Sequence, residues 1–407
     1  MRRGLFPFLI LLLLGAVGPA PGPALAQSGP RVVALRQPAY AFGGEVTFSL
    51  LVASEAEIID VNLLLKTPDE PRTFVGKARF IKGQRVEATY VLEPSRRRLL
   101  PFAPVTYWWE ARDADGRTLT TERQSFIYAD NRFEWQTLTD GPITVAWHTG
   151  DRAYAQMALD AAVAGLARAN RDIQAPLPEA VTVYLYPSLA QARDALVESG
   201  RLWSDAHANP LFGAVVVTLP PDDIDTPVQA ARDIPHELTH ILIAQKTGDR
   251  FYNVPAWLQE GLAMMSEAVP DADRAAALQA ALDADELLPL ARLCGPFSPD
   301  AAEAQRAYAQ SESVVRYIRD RYGAQAFDAL LRAYADGVDC AGGVQRALGM
   351  TLEELEEAWL QSSLRANPVL LRARWLGPWL ALAGLVLSGS GLFWLFTSGL
   401  KPARHVV

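Results

Sequence analysis

The sequence predicts a multidomain chain: an N-terminal β-sandwich of the immunoglobulin or fibronectin III type, then an α+β domain, then one C-terminal transmembrane helix. Three observations carry this. Residues 29–130 alternate apolar and polar positions in short runs without a helical period. After Phe133 strands come first and long helical patterns follow, which is the order of an α+β domain. No charged residue interrupts 376–400, a length that crosses a hydrocarbon core with some tilt.

The first 26 residues read as a secretory signal. Arg2 and Arg3 precede an apolar run over 5–17, and Ala24-Leu25-Ala26 offers a small-residue cleavage site before Gln27. In the β-rich region the runs 46–50, 59–65, 85–92, 105–110 and 123–128 read as strands. Asp115-Gly116 between the last two is a hairpin turn signal. Nothing in this domain carries chemistry, and there is no internal repeat.

The α+β domain is placed at 133–365. Residues 143–147, 181–186 and 212–219 read as strands; 151–169 (rich in alanine), 189–198 and 226–246 read as helices, the last closed by Gly248. Thr351-Leu352-Glu353-Glu354 is a capping box that opens the last helix before the membrane segment. Trp375, Trp379 and Trp394 lie near the ends of that segment, as interfacial aromatics do. Arg372 and Arg374 flank one side, Lys401 and Arg404 the other. With the signal cleaved, the body lies outside the cytoplasm and residues 401–407 form a cytoplasmic tail, which describes a single-pass protein of the cell membrane.

The net charge of -8 and the lack of a long basic tract exclude nucleic acid as a partner. Oligomeric state is not legible. Cys294 and Cys340 are the only cysteines. In an exported chain they either pair or stay as buried thiols, and no Cys-x-x-Cys spacing marks a metal site.

The chemistry is concentrated in His236-Glu237-Leu238-Thr239-His240 and, twenty positions on, in Glu260 of Trp257-Leu258-Gln259-Glu260-Gly261. Positions i and i+4 share one helix face, so both imidazoles reach one ion. Two His and one Glu form a three-ligand zinc site that leaves one position open, the catalytic arrangement, with a water there whose pKa falls to about 7. One Zn²⁺ is therefore the expected cofactor and a peptide or protein the expected substrate. Glu237, beside a ligand but turned toward substrate, is placed to take the proton of the attacking water and hand it to the leaving amine.

His236-Glu237-x-x-His240 with Glu260 resembles the gluzincin metallopeptidases, most nearly the peptidase MA-like family related to thermolysin and aminopeptidase N, over roughly 133–365. The resemblance implies a Tyr or His that stabilises the oxyanion. Tyr308 matches it, unless it is a core residue packed with Val315 and Ile318; Tyr317 and Tyr322 are rivals. It also implies a cleft-edge strand that pairs with extended substrate. Gly213, Ala214 and Val215 are its candidates, with a plain structural strand as the other reading. Aminopeptidases of the group carry a Glu on that strand to grip the free amine, whereas here Val216 and Val217 stand there, which favours an endopeptidase. Relatives place an Asp four residues after the ligand Glu to hold a ligand His from behind. Here that position is Met264, and Glu267, seven after Glu260 on the same helical face, or Asp233 takes its place, unless both are solvated surface acids. His148 and His207 are read as structural or exposed. The competing reading of the whole chain is a catalytically silent peptidase-like domain that serves, with the β-sandwich, in adhesion or binding at the cell envelope.

Overall fold

The computed structural model describes residues 29–197 and 206–365. The expected signal segment 1–26, the expected transmembrane segment 376–400 and the expected tail 401–407 lie outside the described residues. Among the described residues no helix is long and apolar enough to cross a membrane. The described residues divide into two compact units, 29–97 with 105–126, and 98–104 with 127–197 and 206–365.

The first unit is β-rich. Its strands are β1 (Arg31–Leu35), β2 (Ala39–Tyr40), β3 (Val46–Thr67), β4 (Glu70–Lys77), β5 (Gly83–Leu92), β6 (Pro104–Asp113), β7 (Thr118–Thr120) and β8 (Gln124–Ile127). The runs 46–50 and 59–65, expected as two strands, are one 22-residue strand. Over 46–53 it pairs with β1 and β5, and beyond Ile58 with β4 and β6. The register shifts between Ala53 and Ile58, the kind of irregularity that lets one strand serve two ladders. Phe48 from the first ladder meets Tyr107 from the second edge-on, ring centroids 5.1 Å apart, so both ladders share one core. Asp115-Gly116 does turn the chain, with Gly116 at φ 80°, but into the three-residue β7. Asp113 stabilises that turn: it is buried and accepts from the Asp115 and Arg117 backbones, the Arg117 guanidinium and Ser54.

The second unit opens with β9 (Gln136–Asp140), β10 (Ile143–Trp147), α1 (Arg152–Ile173), β11 (Val181–Tyr186), α2 (Leu189–Val197), β12 (Ala206–Asn209) and β13 (Ala214–Thr218). Helices follow: α3 (Thr226–Thr247), α4 (Ala256–Ser266), α5 (Ala272–Ala284), α6 (Ala301–Tyr322), α7 (Ala324–Ala335), α8 (Cys340–Leu348) and α9 (Leu352–Arg365), with 3-10 turns at Gly248–Asn253 and Leu290–Cys294. The sheet order is β12-β13-β11-β10-β9, with β10, β11 and β13 mutually parallel and the two outer strands antiparallel. Strand valines 145, 183, 215 and 217 pack with the alanine face of α1 and with Ile234, Leu238 and Ile241 of α3. Small residues bring α1 and α3 together: a Cβ on Gly165 would lie 2.6 Å from the Pro235 ring. The capping box before α9 is reciprocal, Thr351 N–H to Glu354 Oε2 at 2.7 Å and Glu354 N–H to Thr351 Oγ1 at 3.1 Å. Cys294 and Cys340 are joined as a disulfide across 46 residues. In the loop-entropy account a closure of that length stabilises by about 4 kcal/mol.

One expectation is overturned by this topology. β13 lies inside the sheet, paired to β12 on one side and β11 on the other. Gly213, Ala214 and Val215 are buried and offer no free edge to a substrate. Among the described residues the edge on that side of the sheet is β12, four residues long and too short to read from an alternating pattern.

Candidate metal centre

α3 brings the two imidazoles together. It begins with proline in its first turn and contains Pro235 immediately before His236. A proline has no N–H, so the Ala231 carbonyl lacks its usual i+4 donor. The Ala268 N–H, just beyond α4, supplies it at 2.9 Å. Ser266 fixes the same junction: its hydroxyl donates to the Pro235 carbonyl at 3.0 Å and accepts from Thr239 at 2.8 Å. The end of α4 is thereby tied to the helix turn that carries His236.

α4 supplies Glu260. Trp257, Leu258 and Leu262 are buried and set the face that Glu260 presents. Gly261 lets α6 come close, since a Cβ there would lie 2.6 Å from the Ser311 carbonyl. Glu260 Oε2 is 3.4 Å from His236 Nε2 and 3.9 Å from His240 Nε2. The three ligand atoms all lie within 4.8 Å of one another. Their side chains keep partial contact with solvent, so the site is reachable from outside.

The electrostatics fit a cation. Three carboxylates, Glu237, Glu260 and Glu267, surround the His pair. Burial works against charge on His236, but its hydrogen bonds to Glu260 and Glu267 outweigh this and raise its pKa well above the usual imidazole range. Glu237 is only 8 % exposed. Burial pushes its carboxyl up to about 7; His236 and the Ala208 N–H on β12 oppose the shift, while Glu260 and Asp233 add to it. Two imidazoles and a carboxylate oxygen form the donor set of a borderline-soft ion such as zinc, and His236, His240 and Glu260 would hold it.

The structure sorts the remaining candidates. Glu267 Oε1 lies 3.2 Å from His236 Nδ1, so Glu267 and not Asp233 meets the back of the ring. The geometric reason differs from the expected one. α4 ends at Ser266, and Glu267 reaches His236 as an extended cap residue at φ -57°, ψ 139°, not from a continued helical face. Asp233 sits one helical turn before Glu237 and acts on it through charge. Tyr308 is 37 % exposed, which removes the core reading; Val315 and Ile318 are buried on α6 while Tyr308 faces outward. Its phenol pKa is raised, first by desolvation and then by the charges of Glu260 and Glu237, which places it within their field. Phe297 packs edge-on against it, ring centroids 5.0 Å apart. Tyr317 and Tyr322 pack against each other, and His148 stacks on Phe133. Sequence reasoning missed Ala208, whose N–H on β12 meets Glu237, and the ion pair of Arg274 with Glu267; both depend on chain segments meeting in space.

The family model of the Peptidase MA superfamily matches residues 161–366. Among solved structures the chain is similar to the M1 zinc metallopeptidase from Deinococcus radiodurans, at 15% identity over 78% of this chain and 89% of that one, TM-score 0.32. It is also similar to the Legionella pneumophila aminopeptidase A in complex with aspartic acid, at 13% identity over 78% of this chain and 47% of that one, TM-score 0.34. No curated protein matches it.

Proposed function

The chain belongs to the Peptidase MA superfamily, and on that footing we propose that it is an exported, membrane-anchored zinc metallopeptidase that hydrolyses peptide bonds with Glu237 as general base. The observation that carries this reading is the convergence of His236, His240 and Glu260 ligand atoms within 4.8 Å, with the buried Glu237 carboxyl beside them.

An ion held there supplies Lewis acidity that polarises a carbonyl and acidifies water. The residues of the chain do the rest. Glu237 takes the proton of the attacking water as its oxygen bonds to the peptide carbonyl carbon. It then passes that proton to the leaving nitrogen as the C–N bond breaks, and returns to its starting state. A carboxyl with a pKa near 7 suits both transfers at neutral pH. Tyr308, kept protonated by its raised pKa, donates to the oxygen that turns negative in the tetrahedral intermediate. β12 is the edge strand beside the site and places the Ala208 N–H on Glu237, so strand-like pairing with a peptide falls to β12 and not to β13. β12 reads Ala-His-Ala-Asn and has no carboxylate to grip a free amine, which supports an endopeptidase over an aminopeptidase.

Export and anchoring rest on the signal-like 1–26 and on the uncharged 376–400. The Cys294–Cys340 disulfide supports them, because such bonds persist in oxidising compartments. The β-rich unit, read as an immunoglobulin- or fibronectin-like sandwich, serves as spacer or binding module.

The test is metal analysis of the purified full chain together with cleavage of an unstructured protein such as casein, with and without chelator. One zinc per chain and chelator-sensitive cleavage are expected. Lack of zinc, or cleavage that the chelator leaves intact, overturns the reading. Zinc without cleavage points instead to the silent binding module.

A further inference from the structure

A metal-binding imidazole must present one nitrogen to the ion and hold its plane fixed by the other. In His236 the far nitrogen, Nδ1, lies 3.2 Å from Glu267 Oε1. Nδ1 donates to this carboxylate oxygen, which leaves Nε2, 3.4 Å from Glu260 Oε2, as the nitrogen that would face the ion. The position of Glu267 therefore decides how His236 is presented. Glu267 is a single extended residue after a helix, with a long side chain.

Two devices hold it. The first is the backbone: Ala268 N–H fills the acceptor that Pro235 leaves open on Ala231. The second is Arg274 on α5. Its guanidinium Nη2 pairs with Glu267 Oε2, its Nε with Glu312 Oε2 at 2.9 Å, and its Nη1 with Asp271 Oδ2 at 3.5 Å. The two oxygens of Glu267 are thus divided, Oε1 to His236 and Oε2 to Arg274. Glu312 is itself seated by Arg316 from the next turn of α6, at 2.8 Å. Only 4 % of the Glu267 side chain and 15 % of that of Arg274 is exposed, so this pair is shielded from the screening that weakens surface ion pairs. An ion pair that merely stapled α5 to α6 would need Glu312 alone; the second arm, on Glu267, reaches the metal site.

We propose that Arg274 is a positioning residue of the metal centre: through Glu267 it fixes the plane and tautomer of His236, so that the docking of α5 sets metal affinity. This rests on the metal-site reading above. Arg274 touches neither ion nor substrate and acts only through Glu267.

The experiment measures zinc dissociation constants of the full chain by competition with a chromophoric chelator, alongside the melting temperature of each zinc-free variant. Arg274→Met is expected to weaken zinc binding about tenfold, the low end of what loss of a residue behind a metal ligand costs. Arg274→Lys restores part of this, since an ammonium still reaches Glu267 but lacks the fork. The decisive arm is the Glu267→Gln background, where Arg274→Met changes zinc affinity no further. Equal weakening in both backgrounds, or unchanged affinity in the single variant, overturns the proposal and leaves Arg274 a structural staple. If Arg274→Met does not fold, Arg274→Lys carries the test: several-fold weaker binding is expected, and unchanged affinity overturns it. Failure of the unsubstituted chain to bind zinc overturns the metal-site reading itself, and this proposal with it.

Discussion

Asp113 in the β-rich unit and Glu237 in the α+β unit are both withdrawn from water, yet their surroundings drive them in opposite directions. Burial acts to raise both. At Asp113 it is outweighed by hydrogen bonds from Ser54 and from the Arg117 backbone and guanidinium, which hold its pKa below the usual carboxylate range. At Glu237 burial wins: the Ala208 N–H and the charge of His236 do not offset it, two further carboxylates reinforce it, and the pKa rises to about 7. A buried acid given all the donors it needs builds a turn. A buried acid left short of them, next to two imidazoles, keeps a pKa near neutrality, which is what the proposed proton transfer needs.

The sharpest way to break this contrast is Glu237→Gln. Turnover is expected to fall about 10²–10⁴-fold, the range for loss of a general base, with zinc content unchanged by metal analysis; a variant that retains full turnover makes Glu237 structural. Next is Tyr308→Phe, expected to cost about 10²-fold in kcat, as loss of an oxyanion donor does. Its melting temperature stays as it was, because Tyr308 is 37 % exposed; a loss confined to KM would remove it from the oxyanion role. Reduction of the Cys294–Cys340 bond lowers stability by about 2–4 kcal/mol and acts on the α+β unit, which holds both cysteines. A thermal melt with and without reductant, compared with a Cys294→Ser/Cys340→Ser chain that no longer responds, reads this out.

The smallest effect on catalysis is at the other acid. Asp113→Asn leaves turnover unchanged and lowers the melting temperature of the β-rich unit. The sign of its pH dependence follows from the lowered pKa. A carboxylate whose folded pKa lies below its unfolded value of about 3.9 stabilises the fold above that pH, and loses this as pH falls through the folded value. The gap between the melting curves of Asp113→Asn and the parent chain is therefore full at pH 7 and closes below about pH 4. A gap that persists in acid assigns the effect to packing.

The candidate ligands are legible because their spacing is local chemistry: His236 and His240 follow the helix period, and Glu260 lies on the next α-helix. Glu267 was found by residue type and distance along the chain, although the path by which it reaches His236 runs through a cap. What escaped needed contacts distant in sequence. Arg274 looks like any helix-surface arginine until α5 lies against α6. β12 is four residues long and alternates alanine with polar residues, so in the sequence the apolar β13 reads as the edge of the sheet. In the β-rich unit, 46–50 and 59–65 look like two strands because Ser54 to Glu57 is polar, whereas the chain runs through it as one.

The proline before His236 has a consequence for how the site comes into being. With Pro235 in place, α3 is not self-sufficient: the carbonyl of Ala231 is completed only when Ala268 arrives behind α4. One backbone bond thus joins the helix of the two imidazoles to the end of the helix that carries Glu260, and a peptide of α3 alone lacks both Glu260 and the bond that completes its own helix. On the proposed metal-site reading, zinc uptake would report the docking of α4 on α3, and a chain folded elsewhere but frayed at that junction would have the ligand sequence without the site.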